Sequence, residues 1–297
     1  MSVGLAGMLG LILVFGLPSP SGAQESARRR AIVVTAIDKR GALVPDLTAA
    51  NFRGKVRGQD VTILSAAFDA TTPRHIAVVV DTSESMAPAL GSAWAAAADV
   101  VVILAPNNRL ALFTLDDRLR QQSDLSSDAT LLQEALSRVR AQTPIGPSAL
   151  YNAIVTLSQG LSGERLDVVY LLTDGGDTAS LATPFEAQTD ALRRGVRLFV
   201  LLFSPRRFRG HLPLVPSALR DVSNATGGHL FRAEEFEGVE KLRSFYPLMT
   251  GAYRLEVALP QGLDKARDWK LEAIDANGKE MKNVRLVYPR QLVPSPD

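Results

Sequence analysis

Asp81, Ser83 and Ser85 stand at alternate positions in "VVVDTSESM", directly after the apolar run 76–80. Side chains two apart in an extended segment share a side, so one carboxylate and two hydroxyls can converge on a point. A second carboxylate, Asp174, follows the apolar run in "DVVYLLTDGGDTAS", and Ser148 in "TPIGPSALYNAI" stands at the expected start of a helix. Together these five side chains are an oxygen-only donor set with a formal charge of −2. Such a set suits a hard divalent cation, Mg²⁺ or Mn²⁺, which stays electrophilic toward a carboxylate from outside. Taken singly, Asp81, Ser83 or Ser85 serves equally well as a helix N-cap.

The elements that must bring these residues together follow from hydrophobic patterning. Strand-like and helical runs alternate: 75–80 then 87–104, 109–115 then 129–139, 148–161 then 166–173, 184–194 then 197–202, 216–226 then 229–231. The strand-like runs lack polar alternation, as strands covered on both faces do. This predicts an α/β domain over 74–249, a Rossmann-like, doubly wound, mostly parallel sheet. Ligands of such sheets bind beyond the carboxyl ends of the strands, where Asp81 and Asp174 both stand. "DVVVILAP" reads as strand by composition and as helix end by position.

On either side the pattern is β. Segment 24–73 has two strand-like runs and, in "VPDLTAANF", a one-turn helix started at Asp46 or Thr48. Segment 250–290 has further strands and an Asn277-Gly278 turn. Each is too short for a core of its own. They are expected to pair into one small flanking β-sandwich-like domain, burying Phe52, Ile63, Phe68, Leu255, Val257, Trp269, Leu271 and Leu286. The tail 291–297 is expected to be loose.

The ordered motifs "DTSESM", "GPSALYNAI" and "LLTDGGDTAS" resemble the von Willebrand factor type A family. Its metal-ion-dependent adhesion site, or MIDAS, reads Asp-x-Ser-x-Ser, a later Thr, and an Asp after a buried strand. The resemblance covers about 74–249 and implies that Asp81, Ser83, Ser85, Ser148 and Asp174 surround a Mg²⁺ or Mn²⁺ ion. The flanks are similar to bacterial secreted members, the acidobacterial-type von Willebrand A-related proteins. Two positions depart from the family: Ser148 stands where Thr is usual, and Glu84 where bacterial members often have Gly. Glu84 reads as a solvated loop residue.

Other features narrow the function. Charges are balanced, 33 basic against 31 acidic, which disfavours nucleic acid as partner. No cysteine is present, which excludes thiol catalysis and Cys-ligated metals. Residues 1–23, apolar over 3–17 and closed by Pro18, Pro20 and small residues, read as a secretory signal peptide. The alternative is a short uncleaved anchor, because no Lys or Arg precedes the apolar run. His75, His211 and His229 have no zinc-hydrolase spacing. Arg206, Arg207 and Arg209 form a short basic surface loop. Asp177 reads as a turn cap, and Gly175 and Gly176 as positions of special backbone geometry. No nucleophile elbow occurs, and Ser83 occupies the place of the second acid of aspartyl phosphotransferases.

The sequence therefore reads as a non-enzymatic, secreted or periplasmic binding module that holds the carboxylate of a protein or surface ligand through a divalent cation. No stable membrane span remains after signal cleavage. A metal-free assembly module and a magnesium-dependent phosphoester hydrolase are the alternatives. Ser148→Thr restores the usual residue and restricts χ1. It is expected to bind Mg²⁺ as tightly as the native chain or more tightly, as read by calorimetry. A folded variant that loses Mg²⁺ binding would remove Ser148 from the donor set.

Overall fold

Continuous β-branched runs bury both faces of a strand, and such strands form the centre of the molecule. The computed structural model describes residues 29–141, 143–203, 217–235 and 243–294. The expected signal peptide and the basic loop with His211 lie outside the described residues.

The six-stranded sheet contains β4 (His75–Asp81), β5 (Arg109–Leu115), β6 (Leu119–Gln121), β7 (Val168–Thr173), β8 (Arg197–Leu202) and β9 (His229–Arg232), in the order β6-β5-β4-β7-β8-β9. All neighbours run parallel except the short edge strand β6, which returns antiparallel to β5. Helices α1 (Leu90–Leu104) and α2 (Ala129–Arg140) pack on one face with Ile76, Val78 and Val80. Helices α3 (Leu150–Ser158), α4 (Pro184–Arg194) and α5 (Ser217–Ala225) pack on the other with Ala77 and Val79. The order reverses between β4 and β7: the chain leaves β4 toward β5, and leaves β7 toward β8. The crevice at that switch point lies between Asp81 and Asp174.

The ambiguous "DVVVILAP" is the end of α1. Val100, Val101 and Leu104 are buried while Val102 and Ile103 are exposed, which is helical rather than alternating spacing. Residues 90–107 are apolar and long enough to cross a membrane by composition, but half of them are buried against the sheet.

The two chain ends build a second sheet. Its strands are β1 (Arg29–Asp38), β2 (Phe52–Val56), β3 (Gln59–Asp69), β10 (Ala252–Ala258), β11 (Arg267–Ala273), β12 (Val284–Val287) and β13 (Gln291–Leu292). The order is β12-β1-β10-β3-β2-β11-β13, with antiparallel pairing throughout. β12 and β13 sit at opposite edges, yet only residues 288–290 separate them in sequence. This single sheet is therefore curled until its edges approach, a more closed form than a sandwich. Trp269 and Tyr288 meet edge-on across the closure at 5.5 Å, and the Trp269 indole donates to Pro289 O at 2.6 Å. The eight expected core residues all belong to this cluster, Ile63 and Phe68 only partly buried.

Three local expectations change. β2 has no strand signal of its own, since Gly54 and charged residues interrupt it. It forms because β3 and β11 pair on either side, and Gly54 leaves room for the Trp269 ring. The Asn277-Gly278 turn does form, with Gly278 at φ 74°, but beyond it only Ile274 and Glu280 bridge before the chain crosses to β1. The tail is ordered at 291–292, where β13 pairs with β11 and Leu292 is buried.

A buried arginine joins the two units. Arg197, at the start of β8, donates to Leu248 O (2.9 Å), Met249 O (2.5 Å) and Thr35 Oγ1 (3.3 Å). Thr35 belongs to β1, while Leu248 and Met249 lie in α6 (Pro247–Thr250), just before β10. Burial pushes the Arg197 guanidinium down to about 10, so it remains charged at neutral pH.

β10 lies between β1 and β3. Deleting residues from 252 onward would open an unpaired edge on each and uncover Ile32 and Val34. Limited proteolysis is expected to cut within 29–69 in that truncation and not in the full chain. A truncated protein whose residues 29–69 stay resistant would refute the shared sheet as their support.

Candidate functional site

The register of the central strands sets the site. Val80 pairs with Leu172, so Asp81 and Thr173 follow side by side at the carboxyl ends of β4 and β7. Their side chains share the α3 face, continuing Ala77 and Val79 on one strand and Val169 and Leu171 on the other. Asp81 is fully buried. Its Oδ1 accepts from Ser83 N (3.0 Å), and its Oδ2 accepts from Thr173 Oγ1 (2.6 Å) and Ser148 Oγ (3.4 Å).

In front of this carboxylate opens a cleft of about 510 Å³, lined by residues that include Ser83, Ser85, Ser148, Gly176 and Thr178. Ser83 Oγ and Ser85 Oγ stand 3.3 Å apart. Asp174 is half-buried beside the lining residue Gly176, its Oδ1 accepting from Gly176 N at 3.0 Å. A Cβ on Gly176 would sit 3.2 Å from Asp174 Oδ1 and 3.9 Å from Ser85 Oγ. That glycine thus keeps clear the space between a carboxylate and a hydroxyl. The five expected residues come together, with Asp81 set behind the hydroxyls.

Supporting contacts hold the loops. Leu150 N, which has no intrahelical partner at the start of α3, donates to Asp177 Oδ1 at 2.8 Å, so Asp177 caps a neighbouring helix rather than its own turn. Ser148 N donates to Thr178 Oγ1 (3.2 Å), and Thr178 N returns to Ser148 O (2.9 Å). Ala149 N donates to Asp116 O (2.8 Å), tying the β5–β6 turn to the same place. Gly175 has φ 83°, as special backbone geometry predicts, whereas Gly176 does not have a positive φ and is needed for space instead. Glu84 is exposed at the cleft wall.

Thr173, Thr178 and Asp116 escaped the sequence reading. Thr173 left a signal: a polar residue closing a fully apolar strand must find a partner when buried. Thr178 and Asp116 left none, because their roles depend on contacts with a segment 30 or more residues away.

Comparison with known proteins bears on this arrangement. Residues 76–176, which span β4 to the Asp174 loop, match the family described as von Willebrand factor type A domain. The matched stretch runs from the central strand β4 to the loop after β7 and so contains Asp81, Ser83, Ser85, Ser148 and Asp174. No curated protein matches the sequence. Among solved structures, the chain is similar to the conserved hypothetical protein BatB from Bacteroides thetaiotaomicron, with 15% identity over 59% of this chain and 96% of that one and a TM-score of 0.47. It is similar to a von Willebrand factor type A structure from Catenulispora acidiphila, with 14% identity over 91% and 75% and a TM-score of 0.47. It is also similar to proximal thread matrix protein 1 from the mussel byssus with a zinc-occupied MIDAS motif, with 20% identity over 63% and 48% and a TM-score of 0.49.

Among the described residues no group of three or more His, Cys, Asp or Glu side chains gathers. The oxygen donors at the cleft are mainly hydroxyls, with the two carboxylates Asp81 and Asp174 supplying charge. That chemistry fits a hard cation and not zinc held by nitrogen or sulfur.

The Asp81 carboxyl titrates above the usual carboxylate range. Burial is the main cause, opposed by hydrogen bonds from Ser83 and Thr173 and reinforced by the Asp174 charge. A carboxyl raised in the folded state costs nothing below its unfolded value of about 4. The cost grows as pH climbs from there to the folded value and stays constant beyond. Asp81→Asn removes this cost. Without divalent cations, the variant is expected to gain thermal stability over the native chain as pH rises from about 4 to neutrality. A midpoint difference independent of pH, measured by thermal melts in chelator, would show that the buried charge is not what destabilises this end.

Proposed function

We propose that this protein is a secreted or periplasmic binding module, not an enzyme. In this reading Ser83, Ser85 and Ser148 offer oxygens to Mg²⁺ or Mn²⁺, and Asp81 and Asp174 supply the negative charge. The bound ion would act as an electrophile toward a carboxylate of a protein or surface partner. The observation that carries the reading is the convergence of three serine hydroxyls and two carboxylates at the sheet's switch point, around an open cleft.

Asp81 orients the site. It holds the Ser83 backbone, the Ser148 hydroxyl and the Thr173 hydroxyl at once, which fixes two hydroxyl-bearing loops against one carboxylate. Gly176 keeps the opposite wall open. The phosphoester-hydrolase alternative gains nothing here: among the described residues no Lys or Arg lines the cleft to hold a phosphate, and Ser83 stands in the place of a second acid. The metal-free module remains the competing reading, since the hydroxyls and Asp81 satisfy one another by hydrogen bonds.

Titration calorimetry separates the two. The native chain is expected to show Mg²⁺-dependent heat, and Asp81→Ala none, with the fold retained by circular dichroism. Gly176→Ala forces Asp174 to shift by a few tenths of an ångström and is expected to weaken Mg²⁺ binding about tenfold. No heat from Mg²⁺ or Mn²⁺ in the native chain would leave the metal-free module.

A further inference from the structure

Large apolar side chains scattered singly over a surface are ordinary, but their concentration at one place is not. Among the described residues the three most exposed large apolar side chains are Leu181 (95%), Phe185 (72%) and Ile145 (63%). All three belong to the loops that wall the cleft or to the first turn after them. Ile145 precedes Gly146 and Pro147 of the cleft wall, and Leu181 follows Thr178 by three residues. Phe185 is the second residue of α4.

Their exposure does not come from loose backbone. Ile145 N donates to Thr82 O at 3.1 Å, which ties it to the Asp81 loop. Leu181 N and Ala182 N both donate to Asn152 Oδ1, at 3.1 and 2.9 Å. Thr183 and Glu186 close a capping box around the start of α4, which fixes the turn carrying Phe185. The fold thus holds three apolar side chains outward on pinned backbone beside the hydroxyl-lined cleft. Apolar side chains held outward on fixed backbone can bury a partner's apolar surface at little ordering cost.

We infer that this end of the molecule takes a protein partner presenting a carboxylate flanked by large apolar side chains, with Ile145, Leu181 and Phe185 forming the apolar rim. The inference rests on the cation-dependent reading above and names the partner class for that site. Charge decides against a polyanionic polymer. Exposed Glu84 lines the cleft and, among the described residues, no Lys or Arg does, so each carboxylate beyond the one at the cation would be repelled. An uncharged polysaccharide would leave the rim in contact with its hydroxyls, without apolar burial.

The test uses the full chain and a displayed library of peptides with a fixed central Asp or Glu between randomised positions. Selection is run in Mg²⁺ and in chelator, on the native chain and on the triple variant Ile145→Ser, Leu181→Ser, Phe185→Ser. Because all three positions are exposed, the variant is expected to melt as the native chain does and to bind Mg²⁺ equally by calorimetry. Peptides selected in Mg²⁺ should be enriched in Leu, Ile, Phe or Met beside the acid. They should bind the triple variant about tenfold more weakly or worse. Selected peptides without apolar flanks, unchanged affinity in the triple variant, or no selection by a chain that does bind Mg²⁺ would each overturn the inference. Self-association of the native chain that the triple variant loses would overturn it too, and would assign the rim to a second copy. Apolar-flanked peptides selected equally in chelator, and lost by the variant, would uphold the rim and sink the cation reading instead.

Discussion

A carboxylate without exposed surface governs the top of the parallel sheet. Asp81 ends the central strand β4 with its charge turned into the protein, where ionisation is disfavoured unless donors surround it. The structure meets that demand with Ser83 N, Thr173 Oγ1 and Ser148 Oγ, drawn from three segments of the chain. Each donor is fixed by serving the carboxylate, and each fixes its own loop in turn. The placing of the Ser83 and Ser148 loops follows from satisfying this one buried group, whereas Asn152 and the Thr183–Glu186 capping box hold the apolar rim. Residual strain in the arrangement is electrostatic, since Asp174 adds a second negative charge nearby.

The flanking sheet answers a different constraint. Neither chain end has enough apolar residues for a core, so the two ends interleave: β10 from the C-terminal part lies between β1 and β3 from the N-terminal part. Curling brings the edges together and leaves little edge for foreign strands. The outer face of β1 reaches the α/β unit, where Ile37 joins the main core and Thr35 meets Arg197. Among the described residues Arg197 has no carboxylate in hydrogen-bonding range, and the carbonyls of Leu248 and Met249 accept from it. A charge so placed is sensitive to any separation of the two units, because the guanidinium would be left buried and unsatisfied.

What was legible in the sequence was chemistry and periodicity. The apolar runs ending on Asp81 and before Asp174 read correctly as buried parallel strands, and helix α4 and strand β8 begin and end where the pattern places them. The ambiguous end of α1 could not be assigned by composition, because β-branched residues suit either state and only burial on alternate turns separates them. β2 could not be seen at all: its residues are poor strand formers made into a strand by neighbours on both sides.

The sequence by itself determined the alternation of elements and set out Asp81, Ser83, Ser85, Ser148 and Asp174 as an oxygen-only candidate set. These depend on local periodicity and on side-chain type, which a single chain displays directly. Only the tertiary structure decided that Asp81 lies behind the hydroxyls, that Thr173 shares it, that Gly176 is needed for space, and that Asp177 caps a helix from another loop. It also decided that three apolar side chains remain outside at the same end. Those outcomes depend on strand register and on contacts between segments about 30 to 90 residues apart, and no local pattern carries that information.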